Sequence, residues 1–142
     1  VGIGGVSGLW SVKDIVAHIY CREQHLADRL GEIARGEPEI VCTTRSDLEA
    51  FMEEFRYPDF ASPLMSEADD WVFRKYRSVA MNELVADELH AFEVLLAGVR
   101  RISEEVLNER GLVRRIKEAT IEQYRDHGAD IRKRFKRSLR QL

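Results

Sequence analysis

"LWSVKDIVAHIYCREQHL" (residues 9–26) decides the fold class of this 142-residue chain. It reads as the opening of a helix with a fixed starting point. Ser11 is a favoured N-cap residue, and Asp14 falls three positions on, where a carboxylate answers the free N–H groups and the helix dipole. Trp10, just outside, can pack back on Ile15 as a hydrophobic staple. Val12, Ile15, Val16, Ile19, Leu26, Leu30 and Ile33 then repeat at helical spacing. Gly36 and Pro38 close the run, which predicts a helix from Val12 to Arg35.

Outward from this helix the pattern stays helical. Residues 37–46 read as a loop, and Leu48, Phe51, Met52 and Phe55 mark a short helix that ends before Pro58. Ser66 with Asp69 makes a second capping pattern ahead of Trp71, Val72 and Tyr76, predicting another short helix. Ser78 can cap a long helix that carries Met81, Val85, Leu89, Phe92, Leu96, Val99 and Val106 on one face. Gly111 breaks it, and a last helix runs from Leu112 to Leu139. No segment reads as a strand, a repeat or a low-complexity stretch. The expectation is an all-α fold: one domain over 1–142, an antiparallel up-down bundle of three long helices and two short ones.

Composition sets the function classes. At 44% hydrophobic and 33% charged, the chain suits one globular domain with a buried core. No apolar run reaches the ~20 residues that span a bilayer, so no membrane partner is expected. No cleavable leader is evident, and two cysteines, Cys21 and Cys42, fit a reducing compartment, so a cytoplasmic location is expected. The net charge of −3 is unevenly spread: residues 111–142 hold ten Lys and Arg against four Asp and Glu. Arg132, Lys133, Arg134, Lys136 and Arg137 spread around a helix without interleaved aromatics. They predict a solvated helix end rather than a grip on nucleic acid.

The histidines carry the chemistry. On a helical wheel His18 lies about 95° from the centre of the apolar stripe, at the edge of the buried face. Asp14, Cys21 and His25 fall further round and form a polar stripe with it. His18, Cys21 and His25 could ligate a metal on one helix, but a stripe so far from the core lacks a dry cavity and supporting partners. His90, about 140° from the apolar centre of its helix, is expected in solvent. The last helix differs, because Ile116, Thr120, Gln123, His127 and Ile131 share one face. Gln123 and His127, one turn apart on an inward surface, need partners, since an unpaired buried polar group costs about 1–3 kcal/mol. They either close an ordinary hydrogen-bond network or meet His18 across the bundle as a metal site.

At these residues a family resemblance enters. "WSVKDIVAHI" (10–19) resembles the opening motif of the DinB/YfiT-like superfamily, bacterial four-helix bundles regarded as metalloenzymes. "DDWVFRKYRSVAMNELVADEL" (69–89) resembles the middle of DinB-like and DfsB-type members. "ATIEQYRDHGADIRKRF" (119–135) is similar to the family's last helix, whose usual form is His-Tyr-x-x-His followed by Ile-Arg. The resemblance implies a divalent metal, zinc or nickel, held by His18, His127 and the residue at the third ligand position. That position holds Gln123 here, and an amide oxygen is a poorer ligand than imidazole, which implies a weak or emptied site. His25 and His90 match no ligand position. The family places a further helix before the Trp-Ser motif, whereas only nine residues precede Trp10 in this sequence, so that helix is either absent or not included in it. An exposed groove and a homodimer are therefore expected. The activity implied is metal-dependent work on a small molecule, of the thiol-dependent transferase, isomerase or hydrolase kind, with Tyr124 or Arg125 lining the approach. The alternative is a non-catalytic small-molecule-binding or stress-related bundle with a degenerate metal site.

Overall fold

A computed structural model describes residues 11–109 and 111–119, and among them every regular element is a helix. The first, α1, spans Val12–Ala34. Its start is the capping box read from the sequence. Ser11 Oγ accepts the Asp14 N–H at 3.1 Å, and Asp14 Oδ2 accepts the Ser11 N–H at 3.1 Å. Its end is a Schellman turn in which Glu37 N–H reaches Glu32 O at 2.9 Å and Gly36 N–H reaches Ile33 O at 3.0 Å. Gly36 sits at φ +72°, a left-handed value that glycine adopts without strain.

α2 spans Arg45–Phe55, with Thr44 Oγ1 capping the Asp47 N–H at 3.1 Å. α3 spans Ala68–Tyr76, but Ser66 does not cap it. Glu67 is the N-cap at φ 53°, no side chain closes the turn, and Asp69 turns instead toward α1. α4 spans Met81–Arg101 with Ala80 rather than Ser78 at its N-cap. It stops at Ile102, well before Gly111, and a short helix α5 (Glu104–Glu109) follows, with Ser103 Oγ accepting the Val106 N–H at 3.3 Å. Gly111, at φ +60°, then admits α6, Leu112–Ala119.

The side of α4 turned inward also differs from expectation. Leu84, Glu88, Ala91 and Leu95 are buried, whereas Leu89 and Leu96 are 56% and 39% exposed. The small Ala91 lets the helix settle on that side, so the larger apolar stripe is rotated outward.

α1 is the centre of the molecule: α3, α4 and α6 each approach it more closely than they approach one another among the described residues. Ala17 and Cys21 join Leu48 and Phe51 of α2, Tyr57, Val72 of α3 and Leu84 of α4 in one apolar cluster. Leu26, Ala27 and Leu30 join Leu95, Ile102 and Leu112 in a second. With partners on several sides, α1 buries its polar stripe as well. His18, Cys21, Glu23, His25, Arg29 and Glu32 are all buried. The expectation that Cys21 and His25 lie round from the core, beyond His18 at the edge of the buried face, is therefore corrected, because α2, α3 and the 37–44 and 56–67 connections cover that side.

Candidate functional site

His18 stands nearly two helical turns inside the capped start of α1, with its ring buried. Its Nδ1 lies 3.1 Å from Asp69 Oδ1, a half-exposed carboxylate in the first turn of α3. The hydrogen bond from His18 and, beyond it, the charge of Arg22 hold the Asp69 carboxyl below the ordinary carboxylate range. An ionised Asp69 at this distance favours the proton on the Nδ1 side of the ring. A carboxylate beside a histidine in this way is the usual support of a metal-ligating imidazole.

The other two expected ligands, Gln123 and His127, lie outside the described residues, as do Tyr124 and Arg125. Among the described residues no three His, Cys, Asp or Glu side chains are grouped to hold a metal. A site of His18, Cys21 and His25 on one helix is thus not formed. Cys21 sits in the apolar cluster, where burial pushes its thiol up to about 12, and His25 has a different partner. His90 is exposed, as expected.

That partner is Asp59, and the pair is a feature the sequence reading missed. His25 Nε2 lies 3.2 Å from Asp59 Oδ1, and both side chains are buried. Asp59 also accepts the Cys42 N–H on Oδ2 at 2.7 Å and the Ala61 N–H on Oδ1 at 3.1 Å. Burial alone would raise this carboxyl, but the bonds from His25 and from the backbone bring it down to about 2. Burial lowers the His25 imidazole from its ordinary value despite the favourable bond to Asp59. At neutral pH the pair is therefore a carboxylate and a neutral imidazole that donates through Nε2–H. Tyr57 and Phe60 meet the ring edge-on at 5.7 and 5.5 Å between centroids, fixing its plane.

Cys42, beside this pair, is not an activated nucleophile. Burial and its contact with Asp59 push the thiol up to about 11, so it stays protonated. Its carbonyl accepts Ser62 Oγ–H at 2.6 Å, and Ser62 Oγ in turn accepts the Leu64 N–H at 3.2 Å. Asp59 and Ser62 thus tie the two connections flanking α2 to each other and to α1.

A third polar group lies one turn along. Arg29, fully buried, donates from Nε to Glu32 Oε2 at 3.0 Å and from Nη2 to the Tyr57 hydroxyl at 3.4 Å. Its guanidinium lies 5.2 Å from the Phe51 ring centroid, and the Tyr57 hydroxyl donates a short bond to Asp28. Glu32 closes the network by accepting the Ile40 N–H at 2.9 Å. A cavity of about 390 Å³ adjoins it, with Asp28, Glu32 and Arg35 on one side and Val94 and Gly98 of α4 on the other. Its size falls in the ordinary range for small-molecule sites.

On the opposite flank of α1, α6 closes a smaller cavity of about 140 Å³ between Arg22, His25, Phe60, Arg115 and Glu118. Leu112 packs in the cluster of Leu26 and Leu30, while Glu118 faces Arg22, so α6 advances toward the turn that bears His18. Comparison with family models, with curated proteins and with solved structures found no match for the chain.

Proposed function

We propose that the chain is a DinB-like metalloprotein that uses a divalent ion, zinc or nickel, to act on a small molecule or thiol. His18, His127 and Gln123 are its ligands. The observation that carries this reading is the buried His18 imidazole, whose Nδ1 lies 3.1 Å from the Asp69 carboxylate, the kind of carboxylate support that metal-ligating imidazoles use. The direction of α6 supports it. Glu118 is level with Arg22, one turn past His18. When bound, the ion supplies a Lewis acid. The chain's own contribution is a carboxylate-supported imidazole and a wall of helices that excludes water from it.

A homodimer belongs to the same reading. Leu89 and Leu96, outward on α4, give an apolar strip for a second copy to cover. A second function, a small-molecule-binding bundle without catalysis, is favoured by one observation: an amide, Gln123, stands where the family pattern has imidazole.

Metal analysis of protein purified without a histidine tag tests the first reading, together with calorimetric titration by zinc and nickel. One ion per chain, lost in His18→Ala, is the expected result. Absence of binding to the intact protein would leave the non-catalytic reading.

A further inference from the structure

His25 lies beneath a wall that can be removed without disturbing its partner. The ring is buried, and it shares the small cavity with Arg115 and Glu118 of α6. The groups that act on its charge come from different elements. Burial opposes the imidazolium, Asp59 on the 56–67 connection favours it, and the charges of Arg29 on α1 and Arg115 on α6 oppose it. The other neighbours are balanced or neutral. Arg22 is answered by Asp69 and Glu118, and Glu39 on the 37–44 connection is answered by Arg115 at 2.8 Å. Cys42 and Tyr57 stay protonated, and α2 faces the ring with Phe51, which carries no charge.

α6 is attached so that it can move alone. Leu112 anchors its start in the cluster of Leu26 and Leu30, and Gly111, at φ +60°, joins it to α5 as a pivot. Lifting the helix takes Arg115 away and hydrates the ring. Asp59 stays, because the Cys42 and Ala61 N–H groups hold it from outside α6. The lifted form therefore binds the His25 proton more tightly than the closed form, and by linkage the proton favours lifting. We infer that His25 is the proton sensor of a latch: acidification lifts α6 from α1 and opens the cavity to water. Closure is complete above pH 6.5, the ordinary value of the ring, and weakens as pH falls below it. The latch goes beyond the metal reading and needs no ion.

Amide hydrogen exchange in the metal-stripped full-length protein tests it, with rates corrected for the intrinsic effect of pH. An undocked short helix frays, so the amides of Ile116 and Lys117 report lifting. Between pH 7.5 and 5.5 their protection is expected to fall at least fivefold, against a ceiling of about tenfold for one ring that titrates near 6.5 when hydrated. The fall should not depend on dilute urea, the mark of an opening that exposes little surface. His25→Gln, which can still donate to Asp59, should abolish the pH response. Arg115→Gln should loosen α6 at pH 7.5 and shrink the response. Exchange of these amides only through the urea-dependent global event would overturn the inference, as would a pH response unchanged in His25→Gln. If His25→Gln does not fold, the urea dependence in the wild type and the response of Arg115→Gln decide the matter, and an unchanged response there overturns it.

Discussion

Replacing Asp59 by Asn changes one buried atom and tests the main cross-tie of the fold. The carboxylate accepts three hydrogen bonds, from Cys42 N–H, Ala61 N–H and His25 Nε2, while fully buried. Asparagine offers a single oxygen and turns an NH2 group toward a donor, so at least one bond is lost and the others lose their ionic assistance. Bonds to charged groups contribute about 1.5–3 kcal/mol each, which sets the cost at roughly 2–3 kcal/mol. Titration leads to a similar figure. A carboxyl whose ordinary value is 3.8 and which lies at about 2 in the folded chain contributes at most ~2.5 kcal/mol, less whatever solvent screens. Because the folded value is depressed, this stability is present above pH 4 and is lost as pH falls toward 2, with about half gone by pH 3. Urea unfolding followed by circular dichroism should show Asp59→Asn with its midpoint about 1 M lower at pH 7, for a slope near ~2 kcal/mol/M. The gap between the two proteins should narrow at pH 3. A shift below ~0.3 M at pH 7, or a gap that does not change with pH, would refute the reasoning.

Four further outcomes are expected. His25, lowered below its ordinary 6.5 by burial, takes up its proton less readily folded than unfolded. Stability should therefore fall as pH drops below 6.5, and an NMR titration of the ring should give a midpoint under that value. Arg29→Met leaves Glu32 and the Tyr57 hydroxyl without their buried guanidinium, and should cost about 3 kcal/mol or more in urea unfolding. Gly36→Ala meets no neighbouring atom, so the left-handed backbone at φ +72° alone should cost about 1 kcal/mol, read as a melting-temperature loss of a few degrees. Gln123→His should tighten zinc binding at least tenfold, about 1.4 kcal/mol, by calorimetry; equal affinities would place His18 in an ordinary hydrogen-bond network.

The boundaries of α1 were legible because local chemistry sets them: Ser11 and Asp14 at one end and Gly36 at the other act within a few residues of chain. The same local rule misled at Ser66 and Ser78. There, long-range contacts claim the turn, with Asp69 drawn to His18 and Lys13 Nζ donating to Arg77 O at 2.7 Å. The side of α4 turned inward was misjudged because periodicity weighs Leu89 and Leu96 by hydrophobicity, whereas contact with α1 selects for the fit of Ala91 and Leu95. For the site, His18 was visible as the edge residue of a capped helix. His25 was not, because a wheel with a single apolar stripe assumes one buried side, and α1 has several. The signal that could have found its partner was the loop stretch Tyr57-Pro58-Asp59-Phe60, in which an acid stands among residues that favour burial.

The central position of α1 bears on how the molecule comes apart. A ring of helices, each braced by two neighbours, can shed one member and keep the rest; a spoke arrangement has no such partial state once its hub is lost. α3 and α4 draw their closest packing from α1, α6 packs on α1 and α5 alike, and both apolar clusters run through α1. Loosening Ala17, Cys21, Leu26 or Leu30 therefore releases several elements together, and amide protons in the middle of α1 should exchange only through global opening. Those at the outer edge of α3, held on one side, should exchange through smaller excursions. The helix that supplies His18, Arg22, His25 and Arg29 is thus also the last to open, so the geometry of every polar group on it persists for as long as the fold itself.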